Sequence, residues 1–177
     1  MTRILAFDIS ASPGVAVIEL RYPRKSGKTL IKCAKPFLLY VDSVKTDTKN
    51  SDAQRYAYIE AFAVKAIHEY GPFDVVVREK YTGSSRSKRA KQLVYGAWAA
   101  IDMALGKYGY AIEEKDGEIV ASAIKKAVAG NGSADKEEVA DGVRRILGED
   151  ITFKSDDASD AVAVALTWAI REGRIEV

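Results

Sequence analysis

The chain has little of the chemistry on which many enzymes rely. Among its 177 residues there is one cysteine, Cys33, and one histidine, His68. A single cysteine excludes a disulfide framework and a zinc site built from several thiolates, and it suits a reducing compartment. No apolar run approaches the roughly 20 residues of a membrane-spanning helix, and the opening MTRILAFDIS is charged too early for a signal peptide. These absences predict a cytoplasmic protein without a membrane partner.

A strong excess of either charge is also missing. The chain has 27 lysines and arginines against 25 acidic residues, a net charge of +2. This balance does not by itself indicate a nucleic-acid partner, but it permits one where basic residues cluster. Hydrophobic residues make up 47% and charged residues 29% of the chain, which is ordinary for a globular protein. The length, without repeats or linkers, predicts one domain over residues 1–177.

Hydrophobic periodicity predicts three consecutive strands and then an alternation of strands and helices. Strands are expected at residues 4–7, 15–20 and 30–41, in the apolar run DVVV, and at 110–113. Helices are expected at residues 53–70, 87–105, 122–129 and 134–147, and over SDDASDAVAVALTWA at 155–169. This order predicts an α/β fold with a mixed sheet of about five strands, the first three antiparallel, flanked by helices.

Acidic residues stand where these elements begin or end. Asp8 ends the first strand and Glu79 follows DVVV, while Asp157 and Asp160 share one face at the start of the last helix. Such ends meet at one rim of an α/β sheet. Two like charges three residues apart repel each other unless a cation lies between them. Carboxylates without histidine or cysteine suit magnesium or manganese, and two such ions can hydrolyse a phosphodiester.

Each acid also has a simpler interpretation. Asp8 could open an Asx turn in the following loop, and Glu79 could form a surface ion pair with Arg78 or Lys80. The acids of the last helix could be N-terminal caps. The residues alone leave these alternatives open.

Four segments carry more specific patterns. The segment IKKAVAGNGSADKEEV at 124–139 has a lysine, a Gly-x-Gly-x-Ala loop and a second lysine, and DASDAVAVA at 157–165 is an Asp-Ala-x-Asp-Ala-hydrophobic run. Glu79 is followed by SRSKRAKQLVYGAWAAI, and ILAFDISASPGVAVIE contains Asp8. In this order, over nearly the whole chain, they resemble the RuvC-type Holliday junction resolvases of the ribonuclease-H-like nuclease superfamily. That family more often follows its first aspartate directly with Pro-Gly.

The resemblance implies a ribonuclease-H-like fold and a metal-dependent endodeoxyribonuclease that resolves Holliday junctions by paired symmetric nicks. Two Mg²⁺ ions per active site, for which Mn²⁺ can substitute, would be bound by four residues, with the first between the ions: Asp8, Glu79, Asp157 and Asp160. The resemblance makes Lys136 the active-site lysine, whose charge would stabilise the pentacovalent phosphate. Asp156 would be a helix cap or a supporting acid.

The resemblance also implies contacts with branched DNA. Lys125 matches a basic position that suits a phosphate contact. A basic stretch after Glu79 would follow the DNA backbone, although a solvated helix start is the simpler interpretation; it consists of Arg86, Lys88, Arg89 and Lys91. The family places an aromatic wedge near Tyr81, but the matching position here is Thr82. The basic connection at 21–29 is longer than that of the family.

Two symmetric cuts require two active sites, so the resemblance implies a homodimer. The helix at 87–105 carries apolar residues beyond one core-facing stripe, namely Tyr95, Trp98 and Met103, which fits a second buried face or a contact within the monomer.

The alternatives to a junction resolvase are a nuclease for flaps and other branched DNA, or a non-catalytic nucleic-acid-binding domain. Sugar kinases and actin-like ATPases also begin with an acid before a hairpin turn, but they need a second domain for which this chain is too short.

Overall fold

Five strands form one mixed sheet in the order β3-β2-β1-β4-β5. The computed structural model describes residues 1–23, 33–83 and 87–177. The strands are β1 (Thr2–Asp8), β2 (Gly14–Arg21), β3 (Lys35–Ser43), β4 (Val75–Lys80) and β5 (Glu118–Val120). The first three are antiparallel, whereas β4 runs parallel to β1 and β5 parallel to β4. The predicted mixed sheet is therefore confirmed.

Helices cover both faces of the sheet. They are α1 (Asp52–Tyr70), α2 (Lys88–Lys107), α3 (Ala121–Ala129), α4 (Lys136–Leu147) and α5 (Asp156–Arg171), within two residues of their predicted starts and ends. Side chains of β1 alternate between two cores: Leu5 and Phe7 pack with α1 and α2, while Ile4 and Ala6 pack with α3, α4 and α5. In the described ranges, no helix combines the length and apolarity needed to cross a membrane.

Two strand predictions need correction. The third strand begins at Lys35 rather than at residue 30; residues 30–32 lie outside the described part of the chain. The predicted strand at 110–113 is wrong, since the fifth strand is Glu118–Val120. Tyr110 contacts Phe73 and does not pair with a strand. Its hydroxyl accepts a hydrogen bond from the Phe73 backbone N–H at 3.0 Å, and the two rings pack together. This contact holds the segment against the loop before β4 instead of in the sheet.

Helix α5 sets the position of the functional rim. Most of its residues from Ala158 to Ala169 are buried, and its many alanines let its backbone lie close to β1, β2, β3 and β4. Its first turn lies where β1 and β3 end and β2 begins. The acids predicted from the sequence lie on β1, β4 and α5, which meet at one edge of the sheet.

Candidate active site

A close backbone contact brings the first turn of α5 to the end of β1. Asp8 pairs with Gly14 in the ladder between β1 and β2. A Cβ atom on Gly14 would lie 1.9 Å from the carbonyl oxygen of Asp157, so only glycine fits at this position. On the other side, the hydroxyls of Ser43 and Ser155 are hydrogen-bonded at 2.8 Å. The sheet thus holds Asp157 next to Asp8.

Capping does not account for the aspartates of α5. The N-cap is Ser155, whose Oγ accepts a hydrogen bond from the backbone N–H of Ala158 at 3.2 Å. Asp157 instead accepts a hydrogen bond from the hydroxyl of Ser10 at 3.1 Å. Asp156, expected as a cap or a supporting acid, forms an exposed ion pair with Lys136 at 2.9 Å. The cap is thus a serine and none of the aspartates, although Asp156 and Asp157 lie in the first turn, where the helix dipole also favours acids.

Asp8 and Glu79 form the buried centre of the site. Asp8 is 8% exposed. Burial, followed by the negative charges of Glu79, Asp160 and Asp157, raises the pKa of Asp8 well above its usual range, and its carboxyl group is hydrogen-bonded to Glu79. The pKa of Glu79 is also raised, first by burial and then by Asp160, while Lys125 opposes the rise. The two carboxylates thus share a buried site in which negative charge outweighs the opposing charge of Lys125.

The surface-pair interpretation of Glu79 is wrong. Arg78 and Lys80, its predicted partners, both interact with Glu118 of β5 instead. Since successive side chains of a strand point to opposite faces, Glu79 lies on the α5 side of the sheet and its two neighbours on the other. The hypothesis of an Asx turn at Asp8 also finds no support, because the loop is turned by Ser10, whose Oγ accepts from the backbone of Ser12 at 2.9 Å.

Asp160 completes the acidic group beside two lysines. Burial raises the pKa of Asp160 from 3.8 to about 6; Asp157 and Asp156 add to the rise, while Lys136 and Lys125 oppose it. The pKa of Lys136 is raised, first by its hydrogen bond with Asp156 and further by the charges of Asp160 and Asp157. A pocket of about 180 Å³ is lined by Glu79, Lys125, Lys136 and Asp160. Two of the four predicted carboxylates and both predicted lysines therefore line one pocket.

These residues fit a hard cation. In the described part of the chain, no three acidic, histidine or cysteine side chains are already gathered as metal ligands. Burial raises the pKa of both Asp8 and Glu79, and neighbouring negative charges raise it further. A divalent cation bound between these carboxylates would offset their mutual repulsion. The oxygen-only donor set matches the preference of magnesium or manganese.

The predicted DNA contacts are distributed unevenly. Lys88 and Lys91 are exposed at the start of α2, whereas Arg89 forms an ion pair with Asp52 of α1. Arg86 and most of the basic connection at 21–29 lie outside the described residues. Tyr81 is only partly exposed. Its hydroxyl is buried, and its ring packs edge-on against those of Tyr95 and Trp98, with centroids 5.6 and 6.4 Å away.

Sequence reasoning missed two residues next to the acids. Ser10, which orients Asp157, lies in a Ser-rich turn that gives no sign of its distant partner. Arg78 is buried beside Glu79, and its only signal is a charge that directly follows the apolar run of β4.

Comparisons with known proteins agree with this geometry. The family described as Crossover junction endodeoxyribonuclease RuvC matches residues 23–168. A protein of that name from Thermus thermophilus is 32% identical over 160 residues, covering 89% of each chain. Another from a Synechococcus species is 32% identical over 170 residues, covering 93% of this chain and 96% of that one. The solved structure of T. thermophilus RuvC in complex with a Holliday junction substrate superposes with a TM-score of 0.78, at 26% identity over 98% of both chains.

Proposed function

The chain belongs to the RuvC family of crossover junction endodeoxyribonucleases, and from this membership we propose that it resolves Holliday junctions by metal-dependent, paired symmetric nicks. The observation that carries the proposal is the buried pair of Asp8 and Glu79, which faces Asp157 and Asp160 at one rim. We propose one nuclease domain over residues 1–177, in line with a single sheet whose two faces are both covered by helices.

The four carboxylates are proposed to hold two Mg²⁺ ions, for which Mn²⁺ can substitute. Asp8 is the most buried of the four and is influenced by the charges of Glu79, Asp160 and Asp157, which suits a ligand shared by both ions. Two bound ions activate the attacking water and stabilise the leaving oxygen of a phosphodiester. The chain itself supplies the fixed backbone that holds these acids together, through Gly14 and the bond from Ser10.

Two lysines supply positive charge beside these acids. Lys136, paired with Asp156, is close enough to Asp157 and Asp160 for their charges to raise its pKa. We assign it to the extra negative charge that develops on the phosphate during cleavage. Lys125 lines the same pocket and is assigned to a phosphate contact. Lys88 and Lys91 extend the positive surface along α2 for the DNA backbone.

A homodimer would supply the two cuts that one junction needs. On α2, Tyr95 is 53% and Met103 59% exposed, so this helix keeps apolar surface after its inner face has packed. At Gly96 that inner face touches the ring of Tyr56 so closely that a Cβ atom would lie 2.0 Å from it. The exposed side of α2 is therefore the proposed dimer surface. Replacement of Met103 by lysine is expected to shift the protein toward monomer in analytical ultracentrifugation.

One observation favours a nuclease of broader specificity for branched DNA as the second candidate function. The position that corresponds to the aromatic wedge of the family is the exposed Thr82, and the neighbouring Tyr81 is packed into an aromatic cluster. A nuclease without a wedge depends less on opening the centre of a junction. A non-catalytic DNA-binding domain is less favoured, because all four carboxylates are present at the rim.

Cleavage of defined DNA substrates tests the proposal. Purified protein and the variants Asp157→Asn and Asp150→Asn are incubated with a labelled four-way junction, a flap and linear duplex, with Mg²⁺ or with chelator. We expect paired symmetric nicks in the junction alone, lost with Asp157→Asn or chelator and kept with Asp150→Asn, which removes an exposed acid before α5. Equal cutting of the flap would favour the broader nuclease. A junction that is bound but never cut would refute both.

A further inference from the structure

A buried arginine lies directly beside the proposed catalytic glutamate. Arg78 is 7% exposed and precedes Glu79 on β4. Along this strand, Val77 packs with the core on the α5 side and Val76 with the core on the α1 and α2 side. The alternation places Glu79 on the side of the acids and Arg78 on the opposite face of the sheet, under α2. Arg78 therefore has no direct contact with the acidic rim.

Its partners come from two other elements. The Nε and Nη2 atoms of Arg78 both donate to Oε1 of Glu118 on β5, at 3.0 and 2.6 Å, and Nη1 donates to Asp102 on α2 at 2.9 Å. The guanidinium carbon lies 4.0 Å from the centre of the Trp98 ring. Arg78 also faces Glu118 in the register of the two strands. One side chain thus joins β4, β5 and α2.

Stability alone does not explain this arrangement. An apolar side chain could fill the same space without the cost of taking charges out of water, and buried ion pairs are weak sources of stability. The planar guanidinium differs from an apolar group because its hydrogen bonds have fixed directions. Such bonds determine how the end of β4 lies against its neighbours. Glu79 is the next residue on that strand, so the position of the strand end also sets the direction of the Glu79 carboxylate.

We propose that Arg78 is a positioning residue, which ties the end of β4 to β5 and α2 and thereby keeps the carboxylate of Glu79 directed at Asp8. Its effect on cleavage rests on the proposed function, whereas its hold on β4 does not. Because α2 also carries the proposed dimer surface, the same contacts connect that helix to the strand of the active site. We refer to Arg78, Glu118 and Asp102 as the Arg78 clamp.

The test separates positioning from stability. Arg78→Met alone leaves Glu118 buried without its main partner and is expected to unfold more easily. The decisive variant is Arg78→Met with Glu118→Leu, which removes both charges and fills their space with apolar groups. Arg78→Lys keeps the charge but loses the two-bond fork. Lys107→Met is the matched control, since it removes the ion pair of α2 with Glu60, away from the site.

Four readouts are compared: thermal unfolding, junction affinity, amide hydrogen exchange of residues 75–80, and the single-turnover rate of junction cleavage. For the double variant we expect unfolding and affinity close to wild type, exchange about tenfold faster, and cleavage about ten- to a hundredfold slower. Arg78→Lys is expected to fall between the double variant and wild type, and Lys107→Met to match wild type in every readout.

Several outcomes would overturn the inference. One is a folded double variant whose amide hydrogen exchange matches that of wild type. Another is a double variant whose exchange is faster but whose cleavage rate is unchanged. If the double variant does not fold, an Arg78→Lys variant that matches wild type in every readout overturns the inference. If wild-type protein cuts no junction, the proposed function fails. Hydrogen exchange then still decides whether Arg78 holds β4.

Discussion

Asp160→Asn is expected to stabilise the metal-free protein at neutral pH. In the fold, burial and neighbouring acids raise the pKa of Asp160 from 3.8 to about 6. The folded protein therefore binds this proton more tightly than the unfolded chain does. The resulting stability is fully present below about pH 3.8 and is lost as the pH rises to about 6. Above that pH the ionised carboxylate costs about 3 kcal/mol, the free energy that corresponds to this rise in pKa.

The assay is urea unfolding with chelator at pH 7.5 and pH 4, comparing wild type with Asp160→Asn. The variant is expected to gain about 3 kcal/mol at pH 7.5 and only a few tenths at pH 4, where wild-type Asp160 is mostly protonated in the fold. Asp150→Asn is the control. It removes an exposed acid before α5, so it is expected to change the free energy of unfolding by no more than about 0.5 kcal/mol at pH 7.5. An Asp160→Asn variant no more stable than wild type at pH 7.5 would refute the electrostatic account of the site.

Three further perturbations probe the supports of the site. Gly14→Ala places a methyl group against the carbonyl of Asp157, so it is expected to lower the free energy of unfolding by about 1–3 kcal/mol and to abolish junction cleavage. The control Gly106→Ala, which meets open space in α2, is expected to raise the thermal midpoint. Ser155→Ala removes the cap of α5 and is expected to cost about 1 kcal/mol in urea unfolding. Lys88→Ala is expected to reduce the slope of log affinity against log salt by about 1 in fluorescence anisotropy, and an unchanged slope would remove Lys88 from the DNA interface.

Periodicity predicted most of the fold because most elements bury one clear face. The helices and the first four strands follow patterns that packing reinforces, down to the fully apolar run in β4. The fifth strand was missed for a physical reason. It has only three residues, and its place is set by pairing with β4, while Tyr110 of the predicted strand packs on Phe73. A short strand defined by distant partners has no pattern of its own.

The acids of the site could be found from sequence because strand ends and helix starts have recognisable positions. Asp8, Glu79, Asp157 and Asp160 all lie at the rim where they were expected, and their roles as metal ligands stay predictions. The residues that hold them could not be found in the same way. Ser10 reaches Asp157 across 147 positions of sequence, and Arg78 reaches Asp102 from another element. Such roles follow from how elements dock, which local patterns do not encode.

If the carboxylates at this rim cut junction DNA with the help of metal, Asp8, the most buried of them, is indispensable for cleavage. The measurement is the single-turnover cleavage of a four-way junction labelled on both strands of like polarity, by wild type and by Asp8→Asn, at protein concentrations that saturate binding. We expect symmetric nicks by wild type in Mg²⁺ and a loss in cleavage rate of about a hundredfold or more for the variant, with binding retained. Cleavage by Asp8→Asn at the wild-type rate would contradict it.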